Sequence, residues 1–312
     1  MAARAGMPLD DWQQHIARNA FGERPDGKWS AFECGLVVPR QNGKSALIEA
    51  MILAALFVWR ERRIVYSCHK FDSAQEVFTR LTELIENSEF ADEVAKVPTA
   101  NGKEAIILHS GATLKIKARS RGAARGFTGD RIIFDEAYDL PTRMLGNMIP
   151  ALAARSNMPG GTGPQIWYAS SAAHADSVQL WTLRNRAQSS DPGKLYYAEW
   201  SVEDHTDVDD VDGWYRANPA LGIRISEEFV GDELRSLEAD VDEFRRERLG
   251  IPDPLPSFDA DPPKLDPDQW AATVTDTPPD IAPGACVLAY DVHNNTSAIC
   301  IATGTLSASF VE

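Results

Sequence analysis

The chain has 312 residues, 44% hydrophobic and 25% charged, which is enough apolar material for one large core or two smaller ones. No apolar stretch reaches the ~18 residues of a membrane span; the longest, 46–59, contains Glu49, and the N-terminus lacks the apolar core of a signal peptide, so a cytoplasmic protein without a membrane partner is expected. The net charge of −15 resides entirely in residues 201–280, with 22 Asp and Glu against 7 Lys and Arg, while residues 115–131 hold six Lys and Arg against one Asp, so the acidic average does not exclude a nucleic-acid partner.

In chain order, a short apolar strand at 35–38 leads through a polar, Gly-containing turn into a helix over 44–59 that is apolar on most sides and therefore expected to be buried. A strand follows at 63–68. Asp72 or Ser73 can cap a helix running to about Asn87, with Ala74, Val77, Phe78, Leu81, Leu84 and Ile85 at helical spacing. Segments 105–109 and 113–118 bracket Ser110-Gly111 as a hairpin, and 132–134 is a short buried strand. A strand at 165–170, a helix at about 176–187 and a strand at 195–201 complete the alternation. This pattern predicts an α/β fold with a doubly wound, mostly parallel sheet covered on both faces.

Residues 211–249 read as helical and acidic. Residues 251–283 contain nine prolines and read as a linker, after which 286–290 and 297–302 form two strands joined by a polar turn that begins at Asp291. The expected organisation is a core over 1–205, a helical subdomain over 206–250, the linker over 251–283, and the first strands of a truncated second domain over 284–312. Cys34, Cys68, Cys286 and Cys300 show neither CxxC nor zinc spacing, and buried free thiols are expected.

The turn Val38-Pro39-Arg40-Gln41-Asn42-Gly43-Lys44-Ser45 lies between a strand and a helix and matches the last three positions of GxxxxGK[ST], with Val38 where the pattern has its first glycine. Gly43 allows a tight bend around phosphate oxygens, and the helix N-terminus adds partial positive charge. In such a loop Lys44 reaches β- and γ-phosphates, Ser45 ligates Mg²⁺, and Arg40 brings a further charge. About ninety residues later, Arg131-Ile132-Ile133-Phe134 ends in Asp135-Glu136. A P-loop ATPase needs such a pair: Asp135 for the Mg²⁺ shell and Glu136 to polarise water. Between the motifs lie Arg119, Arg121 and Arg125, for which three readings stand: a guanidinium for the γ-phosphate, a DNA-phosphate contact, or a solvated basic loop.

VPRQNGKS, SRGAARGF, IIFDEAY and WYASSA, in this order and spacing, resemble the ATPase domain of bacteriophage terminase large subunits, in the form found in phages of actinobacteria and their relatives. Asn218-Pro219-Ala220-Leu221-Gly222 and Phe244–Gly250 resemble later parts of the same proteins, so the similarity spans about residues 7–305. The resemblance implies a P-loop fold of ASCE type and a deviant phosphate loop formed by Arg40, Gln41, Asn42, Gly43, Lys44 and Ser45. It also implies Asp135 and Glu136 as the Mg²⁺-holding and catalytic acids, and Arg125 as the arginine that similar motors insert into a neighbour's site. Ser170 and Ser171 correspond to a coupling motif, the bland alternative being a helix cap. Gln13 corresponds to an adenine-reading glutamine, the alternative being an exposed helix residue. Asp291 resembles the first carboxylate of an RNase H-type nuclease. The further nuclease carboxylates would lie beyond residue 312, so this chain is not expected to cut DNA.

The resemblance further implies ATP and Mg²⁺ as cofactors, and double-stranded DNA, a portal protein, a terminase small subunit and a ring of identical subunits as partners. The setting would be the cytoplasm of an infected bacterial host. Rival readings are a DEAx-type helicase, since DEAY and SSA resemble two of its motifs, a P-loop module that holds DNA without turnover, and a metabolic kinase, for which no sugar- or nucleoside-binding motif is visible.

Overall fold

A computed structural model of the chain describes residues 1–100, 102–119, 129–158 and 161–254, together with the backbone of 286–293 and 296–303; the side chain of Asn147 is not described. The chain falls into two compact units, Met1–Pro256 and Ser257–Glu312. In the second, β9 (Cys286–His293) pairs antiparallel with β10 (Thr296–Thr303), setting Asp291 opposite Ala298. The first of these strands runs past Asp291, because the ladder continues to His293 opposite Thr296.

The first unit is built on an eight-stranded sheet. Its strands are β1 (Glu33–Val37), β2 (Arg63–Cys68), β3 (Val94–Lys96), β4 (Ala105–Leu108), β5 (Thr113–Ala118), β6 (Arg131–Asp135), β7 (Gln165–Ser170) and β8 (Leu195–Glu199), in the order β3-β4-β5-β2-β6-β7-β1-β8. From β5 to β8 all neighbours are parallel, while the β4–β5 hairpin and the edge strand β3 are antiparallel.

Alternation along the central strands explains why both faces are covered, since successive side chains leave a strand on opposite sides. Ile64, Tyr66, Ile133, Trp167 and Ala169 join a core with α1 (Asp11–Ala20), α2 (Lys44–Phe57) and α3 (Phe71–Glu86). Their neighbours Val65, Ile132, Phe134, Ile166 and Tyr168 join the opposite core, with α4 (Thr142–Leu152) and Leu183 of α5 (Val178–Ala187). The sheet is thus doubly wound. α2 is buried on nearly all sides, from Leu47 to Leu53 without interruption, which is why its sequence shows no polar face.

The helical segment resolves into α6 (Val211–Ala217), α7 (Glu227–Ser236) and α8 (Val241–Leu249), packed around Trp214, Ala217, Val230 and Phe244. This cluster belongs to the first unit, whose compact body continues past residue 250 to Pro256. α3 begins at Phe71 and not after Asp72 or Ser73; Lys70 occupies the N-cap and no side chain caps it. Residues 255–285, most of the proline-rich segment, lie outside the described residues.

Candidate functional site

In a parallel sheet, ligands are held by the loops beyond the carboxyl ends of the strands. The loop after β1 and the acidic turn after β6 both lie at that edge. A cavity of about 560 Å³ opens there, lined by Lys44 and Ser45 at the start of α2, Asp135 and Glu136 at the end of β6, and Tyr66 and Cys68 of β2.

Lys44 Nζ pairs directly with Asp135 Oδ1. The Tyr66 hydroxyl donates to Asp135 Oδ2 at 2.9 Å, and the Glu136 amide donates to Asp135 Oδ1 at 3.0 Å. Burial pushes the Asp135 pKa upward, but the Lys44 charge and these hydrogen bonds outweigh it and hold the carboxyl below its ordinary value. Burial, with Asp135 beside it, raises the Tyr66 phenol well above its usual range, so it stays protonated and donates.

Glu136 sits in the left-handed region, at φ +53° and ψ +50°, where a non-glycine residue is held only by its surroundings. Arg119 supplies part of that hold: its guanidinium donates to the carbonyls of Asp135 and Glu136, both at 2.7 Å, and of Ser67 at 3.3 Å. The Cys68 thiol donates to Glu136 Oε2 at 2.8 Å. Burial and that bond push the thiol pKa up to about 12, so it remains a donor. Arg119 is therefore neither a solvated nor a DNA-facing arginine; its guanidinium is spent on strand-end carbonyls. Arg121 and Arg125 lie outside the described residues.

Arg40, Gln41 and Gly43 line the same cavity. Arg40 is exposed and also forms an ion pair with Glu247 of α8 at 2.8 Å. Gly43 has φ +96°, and a Cβ there would come within 2.9 Å of Gln13 Nε2, so two constraints call for glycine. The side chain of Asn42, a member of the expected phosphate loop, is buried and turned into the protein. Its Nδ2 donates to Pro39 O at 3.1 Å and Asn218 Oδ1 at 2.9 Å, because the tight loop leaves carbonyls on its outer side. Gln13 is fully buried, not an exposed helix residue; it accepts from the Asp10 amide at 2.8 Å and donates to Gly43 O at 2.7 Å.

Ser170 accepts from the Tyr138 amide at 3.0 Å, two residues past Glu136, and its carbonyl accepts from the Val38 amide at 3.0 Å, so it touches the turns of both motifs. Ser171 lines the cavity; neither serine is the N-cap of α5, a position that Ser177 holds. Asp291 lies in the second unit, and its side chain is outside the described residues.

Among the described residues there is no group of three or more His, Cys, Asp or Glu able to hold a metal. A carboxylate and a hydroxyl lining one cavity, Asp135 and Ser45, suit Mg²⁺, which keeps several waters and shares its shell with substrate phosphates. The cavity can therefore hold a polyphosphate, one divalent ion and a water within reach of a carboxylate.

Sequence reasoning missed Tyr66, Cys68, the inward turn of Asn42, and two contributions from other elements. Arg80 of α3 donates to buried Glu49 of α2 at 2.8 Å on the cavity wall, and burial raises the Glu49 pKa while Arg80 opposes the rise. Arg224, preceding α7, lines the cavity and pairs with Asp10. Period-two spacing places Tyr66 and Cys68 on one face of β2, but only the strand order shows that the acidic pair lies beside them.

No helix among the described residues is long and apolar enough to cross a membrane. Comparison with curated proteins finds no match. Among solved structures, the chain is similar to the large terminase of bacteriophage HK97, with 21% identity and a TM-score of 0.66 over 79% of this chain and 51% of that one. It is also similar to the large terminase of a thermophilic bacteriophage in complex with ADP, with 15% identity and a TM-score of 0.52 over 78% and 53%. At these identities the likeness shows the fold, an α/β sheet of eight mostly parallel strands, and the chain spans about half the length of the structures it matches. The family described as "Terminase large subunit, T4likevirus-type, N-terminal" matches residues 36–252. With well over half of its residues under that match, the chain belongs to the terminase large subunit family.

Proposed function

We propose that this chain carries the motor of a terminase large subunit, which hydrolyses ATP with Mg²⁺ to translocate double-stranded DNA into a procapsid. The observation that carries the proposal is the cavity that gathers Lys44, Ser45, Asp135 and Glu136 from two strand ends. The structures of the thermophilic bacteriophage's large terminase with ADP and with ATP-gamma-S support a nucleotide as its ligand.

In this reading Lys44 neutralises the β- and γ-phosphates, and the backbone of Arg40, Gln41, Asn42 and Gly43 surrounds them. Ser45 and Asp135 would hold Mg²⁺, which would supply positive charge to offset that of the phosphates. Glu136 takes the proton of the attacking water. Gln13, whose amide donates to the Gly43 carbonyl, is the proposed adenine-reading glutamine. Arg125 completes a neighbour's site in a ring, and Ser170 and Ser171 connect turnover to movement. DNA contacts fall on phosphates, so binding is sequence-tolerant and salt-sensitive. The portal protein and the terminase small subunit are the further proposed partners, in the cytoplasm of the infected host, and Asp291 is read as the first carboxylate of a nuclease site.

The test is ATP turnover across protein concentrations for the wild type, Lys44→Ala, Glu136→Ala and Arg125→Ala. Turnover that rises in specific activity with concentration and is lost in the first two variants is expected. Mixing the Arg125 and Glu136 variants should restore part of the activity. Wild type without turnover at any concentration overturns the enzyme reading, and full activity of Arg125→Ala removes that arginine from the site.

A further inference from the structure

We propose that Asn218, in the turn between α6 and α7, is a positioning residue for the phosphate loop, acting through a clasp between its side-chain amide and that of Asn42. This rests on the nucleotide reading of the cavity given above.

A loop that offers its N–H groups to phosphates must leave carbonyls on the other side, and those need partners of their own. Here they have them. Pro39 O accepts from Asn42 Nδ2 at 3.1 Å. Arg40 O accepts from Asn42 Nδ2 and from Arg248 Nη1, both at 3.3 Å. Gly43 O accepts from Gln13 Nε2 at 2.7 Å. Asn42 is the centre of this outer shell, and Asn42 is in turn fixed by the helical subdomain.

The clasp has two strands. Asn42 Nδ2 donates to Asn218 Oδ1 at 2.9 Å, and the Ala220 amide donates to Asn42 Oδ1 at 3.0 Å. Asn218 is held in turn by its own Nδ2, which donates to Trp214 O at 2.9 Å and Arg248 O at 2.8 Å. Asn42 and Asn218 are each 1% exposed, so neither amide can substitute water for a lost partner. The two halves of Asn218 thus do different work: its nitrogen knits the subdomain together, and its oxygen fixes the loop at 2.9 Å while accepting a longer bond from Arg248 Nη1 at 3.5 Å. A segment 176 residues away in sequence sets the shape of the loop before a nucleotide arrives.

The chemistry separates these roles. Asn218→Asp keeps an oxygen for Asn42 and loses the two bonds inside the subdomain. Asn218→Ala loses both sets. Asn42→Ala removes the clasp from the loop side. The experiment measures the affinity of the 312-residue chain for ADP carrying a fluorescent ribose label, with Mg²⁺, together with the unfolding midpoint of each variant.

Each alanine variant should bind about tenfold more weakly, the effect of roughly one buried hydrogen bond. The double variant Asn42→Ala/Asn218→Ala should be no weaker than either single one, the signature of a shared interaction. Asn218→Asp should bind within about threefold of wild type while its unfolding midpoint falls like that of Asn218→Ala. Additive losses, wild-type affinity in the single variants, or an Asn218→Asp that binds as weakly as Asn218→Ala overturn the proposal. If Asn218→Ala does not fold, Asn42→Ala and Asn218→Asp decide it by the same criteria. Lys44→Ala distinguishes the two readings. A wild type that binds no nucleotide ends both; a wild type that binds, with binding lost in Lys44→Ala but an additive cycle, ends only the clasp.

Discussion

At the scale of single residues, the site depends on groups that touch no substrate. Glu136 occupies a backbone conformation that costs on the order of 1–3 kcal/mol for a residue with a side chain, and it is held by Arg119 through its carbonyl and by Cys68 through its carboxylate. The thiol is a weak donor, but at 2.8 Å it fixes one carboxylate oxygen of Glu136. We therefore expect Cys68→Ala to lower kcat about tenfold with little change in nucleotide KM, since the lost interaction aims the proposed base and does not touch the proposed ligand. Cys68→Ser, which keeps a donor, should recover most of the rate. Because burial pushes the thiol up to about 12, it stays protonated through the neutral and mildly alkaline range, and the ratio of wild-type to Cys68→Ala rates should be flat from roughly pH 6 to 9. A ratio that collapses near the ordinary thiol value would show that the thiolate, and not the thiol, faces Glu136.

Among the elements, β6 joins the site to the interior. It delivers Asp135 to the cavity at one end and carries Arg131 at the other. Arg131 is fully buried, forms a two-pronged ion pair with Glu61 at 2.6 and 3.0 Å, and lies within 5.4 Å of the ring centroids of Phe21, Trp29 and Trp59. Aromatic faces attract the guanidinium but cannot satisfy Glu61 once it is gone. Arg131→Met should therefore cost about 3–5 kcal/mol in denaturant unfolding, whereas Arg131→Met combined with Glu61→Leu should return most of that loss, because replacing both members of a buried pair by apolar groups is close to neutral. Equal instability of the single and double variants would assign the energy to the aromatic contacts instead.

The strand itself was legible as Ile132-Ile133-Phe134 ending in two acids. The ion pair at its start was not, since Glu61 lies 70 positions away and only the folded sheet brings it near. The same division recurs elsewhere. Strands and helices with strong periodicity were readable, and so were the residues that line the cavity from adjacent loops. α4 was missed because Gly146 and Pro150 interrupt its pattern, and β3 because three residues cannot alternate. α1 carried a readable signal, a capping box from Asp10 to Gln13 with Trp12, Ile16 and Ala20 on one face, in a segment read for its glutamine alone. The inward turn of Asn42 was beyond reach, because its partner is in another part of the chain.

For the whole molecule, the question is how much of the chain the proposed nucleotide site needs. The two sheet-covering cores draw on residues up to Trp200, and the helical cluster around Phe244 on residues up to Ile251. The cavity wall is complete by Arg224, and the outer support of the phosphate loop by Arg248. The helical subdomain is therefore part of the site's foundation, while residues 257–312 form a separate unit. A fragment of residues 1–256 should consequently unfold within about 3 °C of the main transition of the full chain, and it should bind labelled ADP with unchanged affinity. A fragment ending at residue 205 should do neither, since it leaves Asn42, Arg40 O and the Arg40 side chain without Asn218, Arg248 and Glu247. Calorimetry and nucleotide titration on the two fragments decide the point. If the 1–205 fragment bound nucleotide like the full chain, the phosphate loop would be shaped by β1 and α2 alone, and the acidic helices would serve only partners outside the site.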